Sequence, residues 1–112
     1  MTRHASVIEV LPGQLAEYKR LHAAVWLEVL NTIRRANITN YSIYHRRFDD
    51  GRDFLFSYFE YLGDDFDADM AGIAADPVTQ EWWAVCKPCQ QPFQTRAGDE
   101  WWAGMEEVFH TD

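Results

Sequence analysis

The strongest local signal in the sequence is a β-hairpin between residues 38 and 61. Residues 38–48 (ITNYSIYHRRF) and 53–61 (DFLFSYFEY) are rich in the aromatic and β-branched residues that strands favour. Residues 49–52, between them, contain an Asp-Gly pair, which is typical of tight hairpin turns. A chain with such a hairpin needs an antiparallel sheet, and its other elements must pack on that sheet.

On the N-terminal side of the hairpin, the sequence predicts one strand and one helix. Residues 4–10 alternate loosely and stop at Pro12-Gly13, which indicates a strand and its end. Residues 14–36 predict a single long helix, because apolar positions recur at spacings of three and four along one stripe. The stripe consists of Leu15, Tyr18, His22, Val25, Val29 and Ile33.

On the C-terminal side, the sequence predicts two helices and a strand. Residues 65–75 form a helix with its inward positions at Phe66, Met70 and Ile73. Asp76-Pro77 then combines a helix-capping residue with a proline suited to the first helical position, so a third helix follows. Residues 87–97 are expected to be irregular, and residues 105–110 (MEEVFH) are expected to form a closing strand.

This order predicts one α+β domain over residues 1–112. It is a ferredoxin-like β-α-β-β-α-β sandwich with helices on one face of an antiparallel sheet. The chain holds five Trp, five Tyr and seven Phe, many of them in the strands. The face of the sheet without helices therefore needs cover, and we expect a second copy of the chain to supply it as a homodimer.

Composition narrows the class of partner. The 18 acidic and 10 basic residues give a net charge of −8, which disfavours a nucleic-acid partner and is compatible with a neutral ligand. No apolar run is long enough to predict a membrane span, and the first ten residues lack the apolar block of a signal peptide. The expected location is the cytoplasm, where Cys86 and Cys89 would be reduced thiols.

His22 is the polar exception on the first helix stripe. One interpretation is a core histidine whose ring is satisfied by a backbone carbonyl or by Tyr18. The other is a half-buried imidazole that faces a cavity, where it could give and take a proton near neutral pH. Tyr18, one turn earlier on the same face, favours the second interpretation because a phenol and an imidazole would project together.

The sequence EWWA contains adjacent tryptophans, Trp82 and Trp83, which point about 100° apart on a helix. One could pack inward while the other closes a dimer interface. Alternatively, their rings could stack on a sugar. With Tyr18, His22, Asn40 and Tyr41, they form a mixture of rings and neutral polar groups that is typical of a carbohydrate pocket.

Other candidate motifs carry little weight. Cys86 and Cys89 form a C-x-x-C that follows a helix instead of opening one, and only scattered histidines could complete a zinc site. We interpret the pair as incidental. The run Asp64, Asp65, Asp67 and Asp69 is expected to be a solvated helix start, with a weak cation site as the alternative.

Taken together, the motifs resemble those of the L-rhamnose mutarotases along nearly the whole chain. They are Glu17-Tyr18, His22, Trp26-x-Glu28, Asn40-Tyr41, Ile43-Tyr44, Asp76-Pro77, Trp82-Trp83 and residues 105–110. The resemblance implies a ferredoxin-like dimer and cofactor-free interconversion of the α and β anomers of L-rhamnose. It also implies that His22 is the proton donor and that Tyr18, Tyr41, Trp82 and Trp83 contact the sugar, with Asn40 as a weaker addition. We expect Tyr18 to be the second catalytic residue, which orients His22 or the sugar.

Two departures from the family pattern leave alternatives open. Leu27 stands where a proline is common, which predicts a straighter helix, and residues 86–94 differ from the corresponding loop of the enterobacterial form. The sugar could therefore be L-fucose or another 6-deoxy sugar. A dimeric α+β-barrel protein of the monooxygenase or haem-degrading type shares the expected topology, and a non-catalytic sugar-binding module is a further alternative.

Overall fold

The computed structural model describes residues 1–112 as five strands and four helices. In chain order the elements are β1 (Thr2–Val10), α1 (Leu15–His22), α2 (Leu27–Arg35), β2 (Ile38–Arg47), β3 (Asp53–Tyr61), α3 (Phe66–Ala75), α4 (Pro77–Cys86), β4 (Gln90–Gln91) and β5 (Ala103–Met105). A 3₁₀ turn at Lys87–Cys89 joins α4 to β4. None of the helices has both the length and the apolar character needed to cross a membrane.

All strand pairs are antiparallel, and the sheet order is β2-β3-β1-β4. β5 pairs with β1 on the same edge as β4, but nearer the N-terminal end of β1. The β2–β3 turn closes with a bond from the Phe48 N–H to the Arg52 carbonyl, and Gly51 supplies the positive φ of 86° that this turn requires. The predicted hairpin and the ferredoxin-like α+β fold are confirmed.

The core lies between the helices and one face of the sheet. Ile8 of β1 is directly opposite Leu55 of β3, and both pack against Tyr18 of α1. A second cluster, formed by Val29, Trp82 and Cys86, joins α2 to α4. Both clusters contact α1, so this helix borders the space between them.

The prediction of a single helix over residues 14–36 is wrong. α1 ends at His22, Trp26 has an extended backbone (φ −62°, ψ 135°), and α2 begins at Leu27. The expectation of a straighter helix from Leu27 fails for the same reason. α1 contacts the turn before β4, whereas α2 contacts α4 and β2. The chain must change direction between these two surfaces, and it does so without Gly or Pro.

The predicted closing strand is also misplaced. β5 is formed by Ala103–Met105, and residues 106–112 have no regular structure. An ion pair of 3.0 Å between Arg3 and Glu107 holds this tail, while Val108 and Phe109 are exposed. Within the segment expected to be irregular, Gln90–Gln91 form a short strand because Gln90 pairs with Val10 of β1.

Asp76 links helices α2 and α4. As the N-cap of α4, its Oδ2 accepts bonds from the Thr79 N–H (2.9 Å) and hydroxyl (2.7 Å) and from the Thr32 hydroxyl of α2 (3.2 Å). Both threonines are buried. One carboxylate therefore satisfies groups on two helices and fixes α4, which carries Trp82, relative to α2.

We expect Asp76→Ala to lower the Tm on the order of 5 °C, because it removes a helix cap, leaves the buried Thr79 hydroxyl without its acceptor and breaks the contact to Thr32 of α2. Asp65→Ala is the matched control, since Asp65 caps α3 through a single bond to Ala68. Thermal unfolding followed by circular dichroism measures both. Equal losses would mean that the α2–α4 link adds nothing to the cap.

Candidate active site

Tyr18 and His22 project together from the inward face of α1. They are four residues apart, and their rings stack with centroids 4.0 Å apart and an interplanar angle of 23°. Tyr18 is buried in the core cluster, whereas His22 is half-buried. The helix therefore presents the imidazole at the end of a packed ring, beside open space.

A backbone hydrogen bond fixes the tautomer of His22. Its Nδ1 lies 3.0 Å from the Tyr18 carbonyl oxygen. Because a carbonyl can only accept, Nδ1 must carry the hydrogen, and in the neutral ring Nε2 holds a free lone pair. Burial lowers the pKa of His22, and the bond to the carbonyl only partly opposes that change. The ring is therefore neutral at pH 7, with Nε2 ready to accept a proton.

His22 stands between two adjoining cavities on the helix face of the sheet. The larger, about 480 Å³, lies between α2, β2 and α4, and His22, Tyr41 and Trp82 are part of its wall. The smaller, about 320 Å³, is bordered by Tyr18, His22 and His45. Both volumes fall in the range that holds small-molecule ligands. One ring nitrogen of His22 is hydrogen bonded to a backbone carbonyl, as the core interpretation expects. The ring also borders two cavities, as the alternative interpretation expects.

A β-bulge aims Tyr41 into the larger cavity. Thr39 pairs with Glu60 and Ser42 with Tyr58, so two residues of β2, Asn40 and Tyr41, stand opposite the single Phe59. Asn40 has a φ of 49°, which the bulge requires. In a regular strand, Ile38 and Ile43 would point to opposite faces because they are five residues apart. The bulge brings both to the same face, where they line the cavity. The Tyr41 ring lies 5.5 Å from that of Phe59.

The two phenols at the site are protonated at neutral pH. Burial raises the pKa of Tyr18 and of Tyr41, and the proximity of Tyr41 raises the pKa of Tyr18 further. Although 43% of Tyr41 is exposed, the residue borders the larger cavity together with His22 and Trp82. Each phenol can therefore donate a hydrogen bond to a neutral ligand.

Trp82 forms an aromatic wall beside His22. It is 6% exposed, and its ring meets the His22 ring edge-on with centroids 5.2 Å apart. The Trp26 ring also meets the Trp82 ring edge-on, at the same separation of 5.2 Å. The break between α1 and α2 therefore has a local consequence, because the residue at the break supports the wall of the cavity.

Two predicted sugar contacts occupy different surroundings. Trp83 does not line either cavity, and its ring lies 5.6 Å from the Lys87 Nζ. Asn40 borders the larger cavity, but its side-chain amide donates to the Glu60 carboxylate (3.0 Å). The structure thus brings Tyr18, His22, Tyr41 and Trp82 together and sets Trp83 and the Asn40 side chain apart from them.

The two cysteines are buried free thiols next to the site. Burial raises the pKa of Cys86 to about 12 and also raises that of Cys89. A protonated, buried thiol is a poor nucleophile, which agrees with the interpretation of the C-x-x-C as incidental. In the acidic run, Asp65 caps α3, and Asp69 accepts bonds from Tyr61 and Asn37.

Sequence reasoning missed Gln90 as a neighbour of the site. It is buried at 6% exposure, and its Oε1 accepts a 2.8 Å hydrogen bond from the Trp101 indole Nε1–H. A glutamine inside a Pro-containing, apparently irregular segment gives no signal of burial. Only its pairing with Val10 places it under the sheet edge near Tyr18.

Comparisons with known proteins agree with this geometry. The family model described as L-rhamnose mutarotase matches residues 3–111. The L-rhamnose mutarotase of Opitutus terrae is 33% identical over 116 residues, with all of both chains covered, and that of Sinorhizobium fredii is 32% identical over 111 residues, with 98% of each covered.

Two solved structures share the fold over the whole chain. L-rhamnose mutarotase from Formosa agariphila superposes with a TM-score of 0.76 at 22% identity, covering 100% of both chains. Tetracenomycin F2 cyclase from Streptomyces glaucescens, a type-II polyketide cyclase, gives 0.69 at 15% identity, with 100% of this chain and 98% of that one covered. Because these sequence identities are low, the two structures support the assignment of the fold only. The family match and the full-length relatives show that the chain belongs to the L-rhamnose mutarotase family.

Proposed function

We propose that this protein is an isomerase that interconverts the α and β anomers of L-rhamnose without a cofactor. The observation that carries the proposal is His22, a neutral imidazole with its Nδ1 tied to a carbonyl and its Nε2 free, at a cavity of sugar size. Two protonated phenols and an indole ring accompany it. Family membership supplies the sugar.

The reaction needs one proton to leave the sugar and one to return. We propose that Nε2 of His22 accepts the proton of the anomeric hydroxyl as the bond between the anomeric carbon and the ring oxygen breaks. The imidazolium then gives a proton to the ring oxygen, which yields the open-chain aldehyde. After rotation about the adjacent carbon–carbon bond, the same transfers run in reverse on the other face, so no net proton is consumed.

The remaining residues are assigned to binding. Tyr18 would donate a hydrogen bond to a sugar oxygen and hold the His22 ring by stacking. Tyr41 and Trp82 would contact the sugar, with Trp82 offering an apolar surface to its C–H groups. Asn40 and Trp83, the other two expected contacts, are assigned indirect roles. Asn40 supplies the bulge that aims Tyr41, and Trp83 shares a helix turn with Trp82.

Saturation-transfer NMR on the anomeric protons of L-rhamnose tests the activity. We expect magnetisation to pass between the α and β signals with the wild-type protein, and His22→Ala to slow this exchange on the order of 10² to 10⁴-fold. His110→Ala is the matched control, because His110 lies in the exposed C-terminal tail. Exchange between the anomers of L-fucose but not of L-rhamnose would mean that L-fucose is the substrate. No exchange of either would contradict the proposal.

We propose that the protein works as a cytoplasmic homodimer joined through the open sheet face. That face carries Tyr44, which is 65% exposed, with Phe48 and Phe56 stacked beside it. Exposed rings of this number on a strand surface call for cover, which a second copy supplies by symmetry. The two free thiols are in the state that a reducing compartment maintains.

Tyr44→Glu is expected to give a monomer, because it buries a charge in the proposed interface. Sedimentation velocity would show the wild-type protein at twice the mass of one chain and the variant at the mass of one. Val85→Glu is the control, since Val85 is an exposed apolar residue of α4, on the helical side. A monomeric wild-type protein, or a Tyr44→Glu variant that stays dimeric, would contradict the assignment.

A further inference from the structure

His45 of β2 has one ring nitrogen committed to a carboxylate. Its Nε2 lies 2.8 Å from the Asp53 Oδ1, and the side chains of His45 and Asp53 are 25% and 14% exposed. Arg47 donates to the same carboxylate, with its Nε 2.9 Å from Oδ1 and its Nη2 3.2 Å from Oδ2. The three side chains therefore form one hydrogen-bonded group beside the turn of the β2–β3 hairpin.

The chemistry of this group decides which hydrogen-bonding atom His45 has left. The bonds from Arg47 and His45 lower the pKa of Asp53, so at neutral pH it is a carboxylate that can only accept. The Nε2 of His45 must then carry the hydrogen, and in the neutral ring the lone pair lies on Nδ1. No atom of the protein hydrogen bonds Nδ1, so His45 keeps a free acceptor.

His45 also borders the smaller cavity of the candidate active site. This cavity, about 320 Å³, has Tyr18 and His22 in its wall, and it adjoins the larger cavity at His22 and Ile43, which border both. His45 lies directly opposite Leu55, which packs against Tyr18. A ligand held at His22 can therefore reach His45 without leaving the cavity.

We propose that the smaller cavity is a hydroxyl-binding subsite, in which Nδ1 of His45 accepts a hydrogen bond from a hydroxyl group of the sugar. Lys19, which borders the same cavity from α1, can only donate. One hydroxyl can therefore donate to His45 while it accepts from Lys19. A site built to bind a hydroxyl disfavours a ligand that lacks it. This inference rests on the proposed mutarotase function and adds a residue that determines which sugar is bound.

Two substitutions at His45 separate this role from a structural one. The side-chain amide of Asn ends near the position of Nδ1, whereas that of Gln reaches toward the position of Nε2. His45→Asn therefore keeps an acceptor for the sugar but loses the contact with Asp53, and His45→Gln does the reverse. We expect the KM for L-rhamnose to rise about fivefold to tenfold in His45→Gln and in His45→Leu, with little change in kcat, and to rise less in His45→Asn.

Long-range ¹H–¹⁵N NMR gives a readout that does not depend on activity. In the free protein, His45 should carry its hydrogen on Nε2. At saturating L-rhamnose, its Nδ1 resonance should move upfield, as expected for a ring nitrogen that accepts a hydrogen bond. The resonances of His110, in the exposed C-terminal tail, should stay in place, and His110→Leu should leave KM unchanged.

The outcomes separate the two proposals. Wild-type protein that exchanges no sugar anomers defeats the mutarotase function, whether or not His45 responds to L-rhamnose. An active wild-type protein whose His45→Leu and His45→Gln variants keep its KM overturns the role of His45 alone. So does a KM that is kept in His45→Gln and raised in His45→Asn, because the contact with Asp53 would then be what matters. A hydrogen on Nδ1, or an Nδ1 resonance that L-rhamnose does not move, would overturn the subsite.

Discussion

The pairing of β1 with β3 decides which side chains of the sheet face the helices. It runs from Thr2 opposite Tyr61 to Val10 opposite Asp53 without a bulge. This unbroken register puts Ile8 and Leu55 side by side under Tyr18. Tyr18 is therefore fixed from below, and its carbonyl and ring together fix His22. The protonation state proposed for catalysis thus depends on a strand register in the neighbouring layer.

The cavity itself arises where regular structure is interrupted. The first helix breaks at Trp26, and β2 bulges at Asn40 and Tyr41. The first interruption lets α2 diverge toward α4 and places the Trp26 ring against Trp82. The second turns Tyr41 toward the helices. Both features interrupt regular secondary structure, and both lie beside the larger cavity. Such interruptions are expected where a functional site is built into a fold.

These interruptions also mark the limit of what the sequence could predict. The hairpin, the cap at Asp76, and the inward face with Tyr18 and His22 follow from local sequence signals: the alternation of strands, a capping residue before proline, and the helical repeat of 3.6 residues. The break at Trp26 could not be predicted, because the apolar stripe continues through it and no Gly or Pro marks it. The burial of Gln90 depends on pairing with Val10, a contact 80 positions away in the sequence. The solved polyketide cyclase with a similar fold shows why fold alone does not name the chemistry.

The proposed chemistry requires His22 to be neutral at pH 7, with its hydrogen on Nδ1 and its lone pair on Nε2. Long-range ¹H–¹⁵N NMR of the imidazole rings, followed through a pH titration, measures both properties for His22 directly. We expect the Nδ1–H tautomer and a pKa below the ordinary 6.5, so that the ring is neutral at pH 7 and becomes charged only as the pH falls below that lowered value. An Nε2–H tautomer, or a pKa above 6.5, would contradict it.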